Sequence, residues 1–341
     1  KITENASVDY GEAKTYSYIY GAITGSSSVL EKDSDTESMI EAFEAIRDSV
    51  NAGGNFDKFY NGVYRFIIGL CKKVILANNL GVIWYSIKAT PYDTLSLATS
   101  WLGIICFTLQ IYFDFSGYSD MAVGIGKIFN IDLPANFLSP YKATSISEFW
   151  RRWHITLGRA LSTYVYKPLG GNRKGRVKTY INLLLTFLVS GLWHGAAWTF
   201  VFWGLLHGIA SVIDRLFRDN NWKINKYVSW ILTFMFVNCA WVFFRATTFE
   251  RAFEILTAMF SVPSGGVLNM AGIITNGSII IIGLVYILLV ISLVVTLSFK
   301  NTYELAETFD YTTINTVYVV ILMVVGISFM PRISPFIYFN F

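Results

Sequence analysis

The fold is decided by the stretch from Ile181 to Ile213, INLLLTFLVSGLWHGAAWTFVFWGLLHGIASVI, which contains no Asp, Glu, Lys or Arg. A helix needs roughly 20 mostly apolar residues to cross a hydrocarbon core of about 30 Å, so this stretch supplies one span or a pair. Similar runs predict an all-α, multi-pass integral membrane protein with about six to eight spans. These runs are Leu95 to Tyr112, Tyr227 to Phe244, Ile279 to Leu297, Thr316 to Pro331 and a weaker one from Val63 to Ile87 that two lysines interrupt.

Composition supports the same class of protein. Of 341 residues, 54% are hydrophobic and only 15% are charged, which is outside the range of ordinary soluble domains. Residues 1–54 are polar and contain one amphipathic run, 37–50, so we expect a soluble or poorly ordered segment before a membrane domain over 55–341. The chain opens with Lys1 and shows no signal peptide, and we expect the natural start to be missing.

Positive charge is concentrated in the middle of the chain. Between Lys142 and Lys178 there are nine basic side chains and one acid, Glu148. Such a bias beside membrane spans marks the cytoplasmic side, so we interpret it as a record of topology rather than as a nucleic-acid site. The three cysteines lie singly in apolar segments and are expected to be core residues, and no metal-binding pattern is present.

His194 is the first candidate for chemistry, because ionisable groups inside spans are costly and often functional. It follows Trp193 in Ser190-Gly-Leu-Trp-His-Gly195, where two glycines four residues apart allow close helix packing. If the span starts near residue 180, His194 lies roughly 21 Å from the cytoplasmic edge. Catalysis and a structural role remain equally open on this pattern alone.

His207 also lies in the span region. In one continuous helix it would be rotated by about 220° from His194, so the two imidazoles would not share a site. The pattern favours structural hydrogen bonding for His207.

His154 follows Glu148-Phe-Trp-Arg-Arg-Trp153, and the residues from Phe149 to Tyr164 are expected to form one charged helix at the cytoplasmic interface, with its arginines and tryptophans on the surface. Two roles stay open for this segment. It is either an anchored amphipathic helix or, with Arg151 and Arg152, a cationic mouth that receives an anionic donor.

Two carboxylates, Asp114 and Asp120, accompany Ser116 and Tyr118 at the end of the apolar run that starts at Leu95. Unpaired carboxylates there would be expensive. They are expected either to line a water-filled cavity or to tie neighbouring helices together. No phosphate loop or nucleophile elbow occurs in the sequence.

From about residue 56 to the end, the chain resembles the membrane-bound O-acyltransferases, and most closely their bacterial branch of alginate O-acetyltransferases. Six motifs carry the resemblance: Tyr64-Arg-Phe-Ile-Ile-Gly-Leu with Lys72-Lys73, Tyr112-Phe-Asp-Phe-Ser-Gly-Tyr-Ser-Asp120, Glu148-Phe-Trp-Arg-Arg-Trp-His154, Pro168-Leu-Gly-Gly-Asn-Arg173, Ser190-Gly-Leu-Trp-His-Gly195 and Phe336-Ile-Tyr-Phe-Asn-Phe341. The family carries several further spans before the Tyr64 motif, and residues 1–54 resemble none of them.

The resemblance implies that His194 is the catalytic histidine and that His154 is the second hallmark histidine. It also implies a tunnel from a cytoplasmic donor entrance to an external acceptor entrance. We expect the tunnel to be lined by Trp193, Asp114, Ser116, Tyr118, Asp120, Arg151 and Arg152.

The resemblance further implies a protein of the bacterial inner membrane that binds no cofactor. The donor would be acetyl-coenzyme A or a carrier-bound acyl thioester, and the acceptor an extracellular polysaccharide such as alginate. Peptidoglycan or teichoic acid is the alternative acceptor, and an SGNH-hydrolase-like protein is the expected partner.

Imidazole at His194 would take the proton of the acceptor hydroxyl, by direct transfer or through an acyl-histidine. Two other classes of function are weaker. A proton-coupled transporter would need broken helices in two corresponding halves, which the sequence lacks, and a non-catalytic scaffold would leave His194 replaceable.

Overall fold

The computed structural model describes residues 56–89, 91–92, 95–261, 279–310 and 312–330. Its secondary structure over these residues is helical, without strands, which confirms the predicted all-α class. The α-helices are α1 Phe56–Cys71, α2 Asn78–Ala89, α3 Leu97–Ile128, α4 Ile146–Arg152, α5 Ile155–Leu161, α6 Arg176–His194, α7 Trp198–Asp219, α8 Lys226–Arg245, α9 Phe249–Phe260, α10 Ile279–Ser298, α11 Thr302–Glu307 and α12 Thr313–Phe329. The predicted segment 1–54, its amphipathic run 37–50 and the closing motif 336–341 lie outside the described residues.

Four helices among the described residues are long and apolar enough to cross a membrane. They are Phe56–Tyr85, Leu97–Ile128, Trp198–Asp219 and Lys226–Arg245. Three more apolar helices, α6, α10 and α12, contain 19, 20 and 17 residues. The chain is therefore an all-α membrane protein, and the total of six to eight spans stays a prediction.

The weak span around Lys72 and Lys73 is a real helix with an unusual turn. Helix α1 passes into α2 through a π-helical stretch, Lys72–Ala77. Both lysines form ion pairs with carboxylates of α3, Lys72 with Asp120 and Lys73 with Asp114. Pairing inside the protein explains how a membrane helix accommodates two cations, because an unpaired charge facing lipid would be costly.

Glycines bring α1 and α3 into backbone contact. A Cβ added at Gly69 would lie 2.6 Å from the carbonyl oxygen of Gly117, and one at Gly62 would lie 2.6 Å from that of Gly124. The two contacts are seven residues apart on each helix and run in opposite order, so the helices are antiparallel. Small residues at such a seam allow the close packing typical of membrane helices.

Helices α6 and α7 form a hairpin rather than one continuous helix. Helix α6 ends at His194, and Gly195 has a φ of 155°, a left-handed conformation that favours glycine. Beyond the turn, Gly204 of α7 meets the carbonyl oxygen of Phe187 on α6. Of the two predicted possibilities for residues 181–213, the pair is therefore correct, and the geometry assumed for a continuous helix is wrong.

The segment expected to form one interfacial helix is broken in its middle. Helix α4 ends at Arg152, and His154 takes a left-handed conformation with a φ of 44° before α5 begins. Its aromatic side chains point inward rather than onto the surface, since Phe149 and Trp153 are both buried. The predicted continuous helix is wrong because the chain bends to place these rings in the core.

Helix α3 contains the Asp114 and Asp120 motif in its interior. The sequence indicated the end of an apolar run at Tyr112, but the helix continues to Ile128. It begins at a capping box between Ser96 and Thr99 and is the most buried of the candidate spans. The added length is accommodated because its two carboxylates, Asp114 and Asp120, pair with cations of α1 and of the π-helical turn.

Candidate active site

His194 lies at the tip of the α6–α7 hairpin inside an aromatic cage. Its side chain is only 8% exposed, and its ring centroid lies 4.9 Å from Trp193, 5.2 Å from Trp203 and 5.0 Å from Phe244. Helix α8 supplies Phe244, so three helices hold the imidazole. Such a cage fixes the orientation of the ring.

His154 approaches the same cage from the break between α4 and α5. Its ring centroid lies 6.2 Å from Trp193 and 4.7 Å from Phe115 of α3. The structure thus brings together His154 and His194, which both contact Trp193. Burial lowers the pKa of His154 to about 4, so this imidazole is neutral near pH 7 and is not a cation for an anionic donor.

His207 is closer to this site than the sequence indicated. One helical turn of α7 separates it from Trp203, with ring centroids 4.8 Å apart, and the hairpin brings His194 against the same Trp203. Trp150 of α4 donates its indole N–H to Nδ1 of His207 at 3.2 Å. That bond assigns the His207 proton to Nε2 and agrees with the structural hydrogen bonding expected for this residue.

Several buried polar atoms around the hairpin have no hydrogen-bond partner in the described part of the chain. They include Nε1 of Trp203, Nε2 of His207 and Oγ of Ser190. Ser190 precedes His194 by one helical turn and therefore lies on the same face of α6. Because buried polar groups are nearly always paired, this cluster indicates a place for polar groups of a ligand or for water.

Asp114 and Asp120 serve in a buried ionic network. Arg65 donates to Asp120 at 3.1 Å, Lys72 lies 2.7 Å from the same carboxylate, and Lys73 pairs with Asp114. Both roles expected for this motif are therefore present, since the pairs tie α1 to α3 and Asp120 also lines a polar cavity together with Ser116. Asp114 does not line that cavity.

The remaining predicted site residues are arranged differently. Tyr118 is 47% exposed on the outer side of α3 and does not line the polar cavity. Arg152 forms an ion pair with Glu148 at 2.7 Å, and Arg151 is exposed. Trp193 is 58% exposed although it touches both histidines. No cluster of potential metal ligands occurs among the described residues.

Sequence reasoning missed the rings that enclose His194. Trp203 and Phe244 become neighbours only through the hairpin turn and the packing of α8. A signal was present in Gly191 and Gly204, whose spacing about Gly195 permits two helices to pack at backbone distance after a reversal.

Comparison with known proteins places this arrangement in a family. The sequence profile of the membrane-bound O-acyltransferase family matches residues 32–251, more than half of the chain. The chain belongs to the membrane-bound O-acyltransferase family. The resemblance drawn from its motifs is thereby confirmed, while the domain boundary at residue 54 stays a prediction.

Curated relatives within this family act on different polymers. The chain is 48% identical over 225 residues to a peptidoglycan O-acetyltransferase of Helicobacter pylori. The aligned region covers 64% of this chain and 42% of that protein. It is 46% identical over 212 residues to a probable alginate O-acetylase AlgI of Pseudomonas putida, covering 62% and 43%. A teichoic acid D-alanyltransferase of Bacillus subtilis is 29% identical over 183 residues, covering 51% and 45%. The chain thus spans less than half the length of these relatives.

Proposed function

We propose that this chain forms the catalytic core of a bacterial inner-membrane O-acetyltransferase in which His194 is the general base. The observation that carries the proposal is the buried imidazole at the tip of the hairpin, enclosed by three aromatic rings and flanked by His154. The family to which the chain belongs favours acyl transfer over the transporter and scaffold alternatives.

The proposed reaction is transfer from an acyl thioester to a hydroxyl. The hydroxyl oxygen attacks the thioester carbonyl carbon, and a nitrogen of His194 accepts the hydroxyl proton as the new C–O bond forms. The C–S bond then breaks, and the leaving thiolate takes up the proton. Direct transfer needs no acyl-histidine, although the same nitrogen could carry one.

His154 is proposed to orient the donor. As a neutral imidazole it can donate one hydrogen bond, and its contact with Trp193, which also contacts His194, suits a role in binding the thioester carbonyl oxygen. The cationic mouth expected from Arg151 and Arg152 is not part of this proposal, because Arg152 already pairs with Glu148.

The proposed acceptor is a polysaccharide outside the cytoplasm, and the donor is acetyl-coenzyme A or a carrier-bound acetyl group. Relatives that act on alginate and on peptidoglycan resemble the chain to a similar degree, so both classes of polymer are candidates. The SGNH-hydrolase-like partner stays a prediction from the resemblance.

The test is genetic and identifies the acceptor. The full-length gene and its His194→Ala version are expressed in a strain that lacks its own copy, at equal membrane levels. Ester-linked acetate is then measured separately on secreted and wall polysaccharides. Loss of acetate from one fraction with His194→Ala supports the proposal and names the acceptor, whereas unchanged acetate in every fraction contradicts it.

A further inference from the structure

A polar cavity lies between α1, α3 and α11, close to the segment that carries His154. Its lining includes Arg65, Lys72, Ser116, Asp120, Asn136 and Thr302. Asn136 connects it to the active site, because its carbonyl oxygen and its side chain accept hydrogen bonds from Ile155 and Thr156, directly after His154. Phe115, which precedes Ser116, packs against the His154 ring.

Among the side chains that line this cavity, two are cations and one is a carboxylate. Arg65 bonds to one oxygen of Asp120 and Lys72 to the other, so a single carboxylate balances two cations. The neighbouring Lys73 and Asp114 pair with each other. Glu304 of α11 accepts a hydrogen bond from the backbone N–H of Asn301, and its negative charge lies near the cavity lining but, among the described residues, forms no ion pair with a cation of the cavity.

Hydrogen-bond donors remain unused at the same place. Within the described part of the chain, Arg65 makes one hydrogen bond, through Nε, and its two terminal amino groups are not bonded. Ser116 Oγ and Thr302 Oγ1 are buried and also lack a partner among the described residues. The terminal edge of a guanidinium matches two oxygens of a phosphate or carboxylate group.

We propose that this cavity binds a phosphate-type oxyanion. The terminal amino groups of Arg65 and the ammonium of Lys72 hold it, and the hydroxyls of Ser116 and Thr302 donate to its oxygens. Two sources share this chemistry, the phosphate of the acyl donor and the headgroup of an anionic lipid. A donor source rests on the proposed function, whereas the binding site itself does not.

Binding is tested first with inorganic phosphate. The full-length protein is placed in nanodiscs of phosphatidylcholine, and phosphate affinity is measured by titration calorimetry against chloride at equal ionic strength. We expect saturable binding that weakens about tenfold or more in Arg65→Gln, because a charge-assisted hydrogen bond is lost. Ser116→Ala and Thr302→Ala should weaken it severalfold, and they carry the test if Arg65→Gln does not fold.

The matched control is Lys58→Gln. It removes a cation of α1 that pairs with Asp132 in an exposed position, so phosphate affinity should not change. Absence of phosphate binding, or equal binding in Arg65→Gln, Ser116→Ala and the parent protein, would overturn the proposal and leave the cavity as a site for ordered water.

Two further comparisons separate the sources. A donor phosphate predicts that Arg65→Gln raises KM for acetyl-coenzyme A but not for acetyl-pantetheine, which has the same thioester and no phosphate. A lipid headgroup predicts equal KM effects for both donors, and weaker binding of inorganic phosphate in nanodiscs that contain phosphatidylglycerol. His194→Ala should abolish transfer and still bind phosphate, so failure of the catalytic proposal is distinguishable from failure of this one.

Discussion

The α1–α3 pair and the α6–α7 hairpin are packed in the same way but enclose different kinds of side chain. In both, glycines let two backbones touch, Gly69 with Gly117 in the pair and Gly191 with the carbonyl oxygen of Phe200 in the hairpin. The pair encloses ammonium, guanidinium and carboxylate groups that form ion pairs with one another. The hairpin encloses the imidazoles of His194 and His207 among aromatic rings.

The difference shows how a membrane protein places ion pairs that hold helices together in one region and a candidate catalytic histidine in another. Charged groups need opposite charges from a second helix, so the α1–α3 pair is fixed by its own ion pairs. The hairpin instead surrounds His194, the proposed general base, with aromatic rings. Variants that remove an ion pair, a glycine contact or an imidazole should therefore show how the two regions differ.

The largest expected effect on stability comes from the ion pairs. Asp114→Asn leaves the buried ammonium of Lys73 without its carboxylate, and we expect a loss of about 3–5 kcal/mol. The measurement is the thermal midpoint in detergent together with the membrane level of the full-length protein. Lys58→Gln removes an exposed ion pair of α1 and should cost at most about 1 kcal/mol. Equal losses would mean that the buried pairs do not hold α1 to α3.

A smaller loss is expected from the glycine contacts. In Gly69→Ala and Gly191→Ala the added methyl group meets backbone atoms of the facing helix, and such overpacking typically costs about 1–3 kcal/mol. Gly283→Ala is the matched control, since a Cβ there has open space. The measurement is the thermal midpoint of all three variants. A lower midpoint in only one of Gly69→Ala and Gly191→Ala would contradict the shared packing of the two helix pairs.

The smallest effect is a pH dependence at His154. Its pKa is about 4 in the folded protein and 6.5 without burial, so the unfolded chain binds the proton more readily. The stability that depends on neutral His154 is therefore complete above about pH 6.5 and is lost as the pH falls toward 4. We expect the thermal midpoint of His154→Gln to decline less between pH 7 and pH 4.5 than that of the parent protein. Parallel declines would contradict a buried neutral imidazole.

Much of this arrangement could be predicted from local sequence patterns. The features that could not be predicted have a common cause. The apolar runs indicated the all-α class, and the Trp193-His194-Gly195 motif indicated the site. The pairing of Asp120 with Arg65 was out of reach because the partners lie 55 residues apart and meet only after α1 packs on α3.

The break at His154 was missed, and the position of the reversal at Gly195 was not predicted, for a related reason. Neither the left-handed conformation of His154 nor the reversal at Gly195 has a strong local signature, because histidine rarely adopts a positive φ and glycine is common inside membrane helices. These two bends bring His154, His194 and His207 together. Tertiary packing, rather than local propensity, therefore decides the geometry of the candidate site.

The central claim is tested most directly by acyl transfer in a purified system. Full-length protein, His194→Ala and His207→Ala are reconstituted in liposomes at equal amounts, and transfer of labelled acetate to a soluble hydroxyl acceptor is followed. We predict a loss of roughly 10²–10⁴-fold in kcat for His194→Ala, the range for removal of a general base, and a much smaller loss for His207→Ala. Comparable kcat values for His194→Ala and the parent protein would contradict the assignment of the general base.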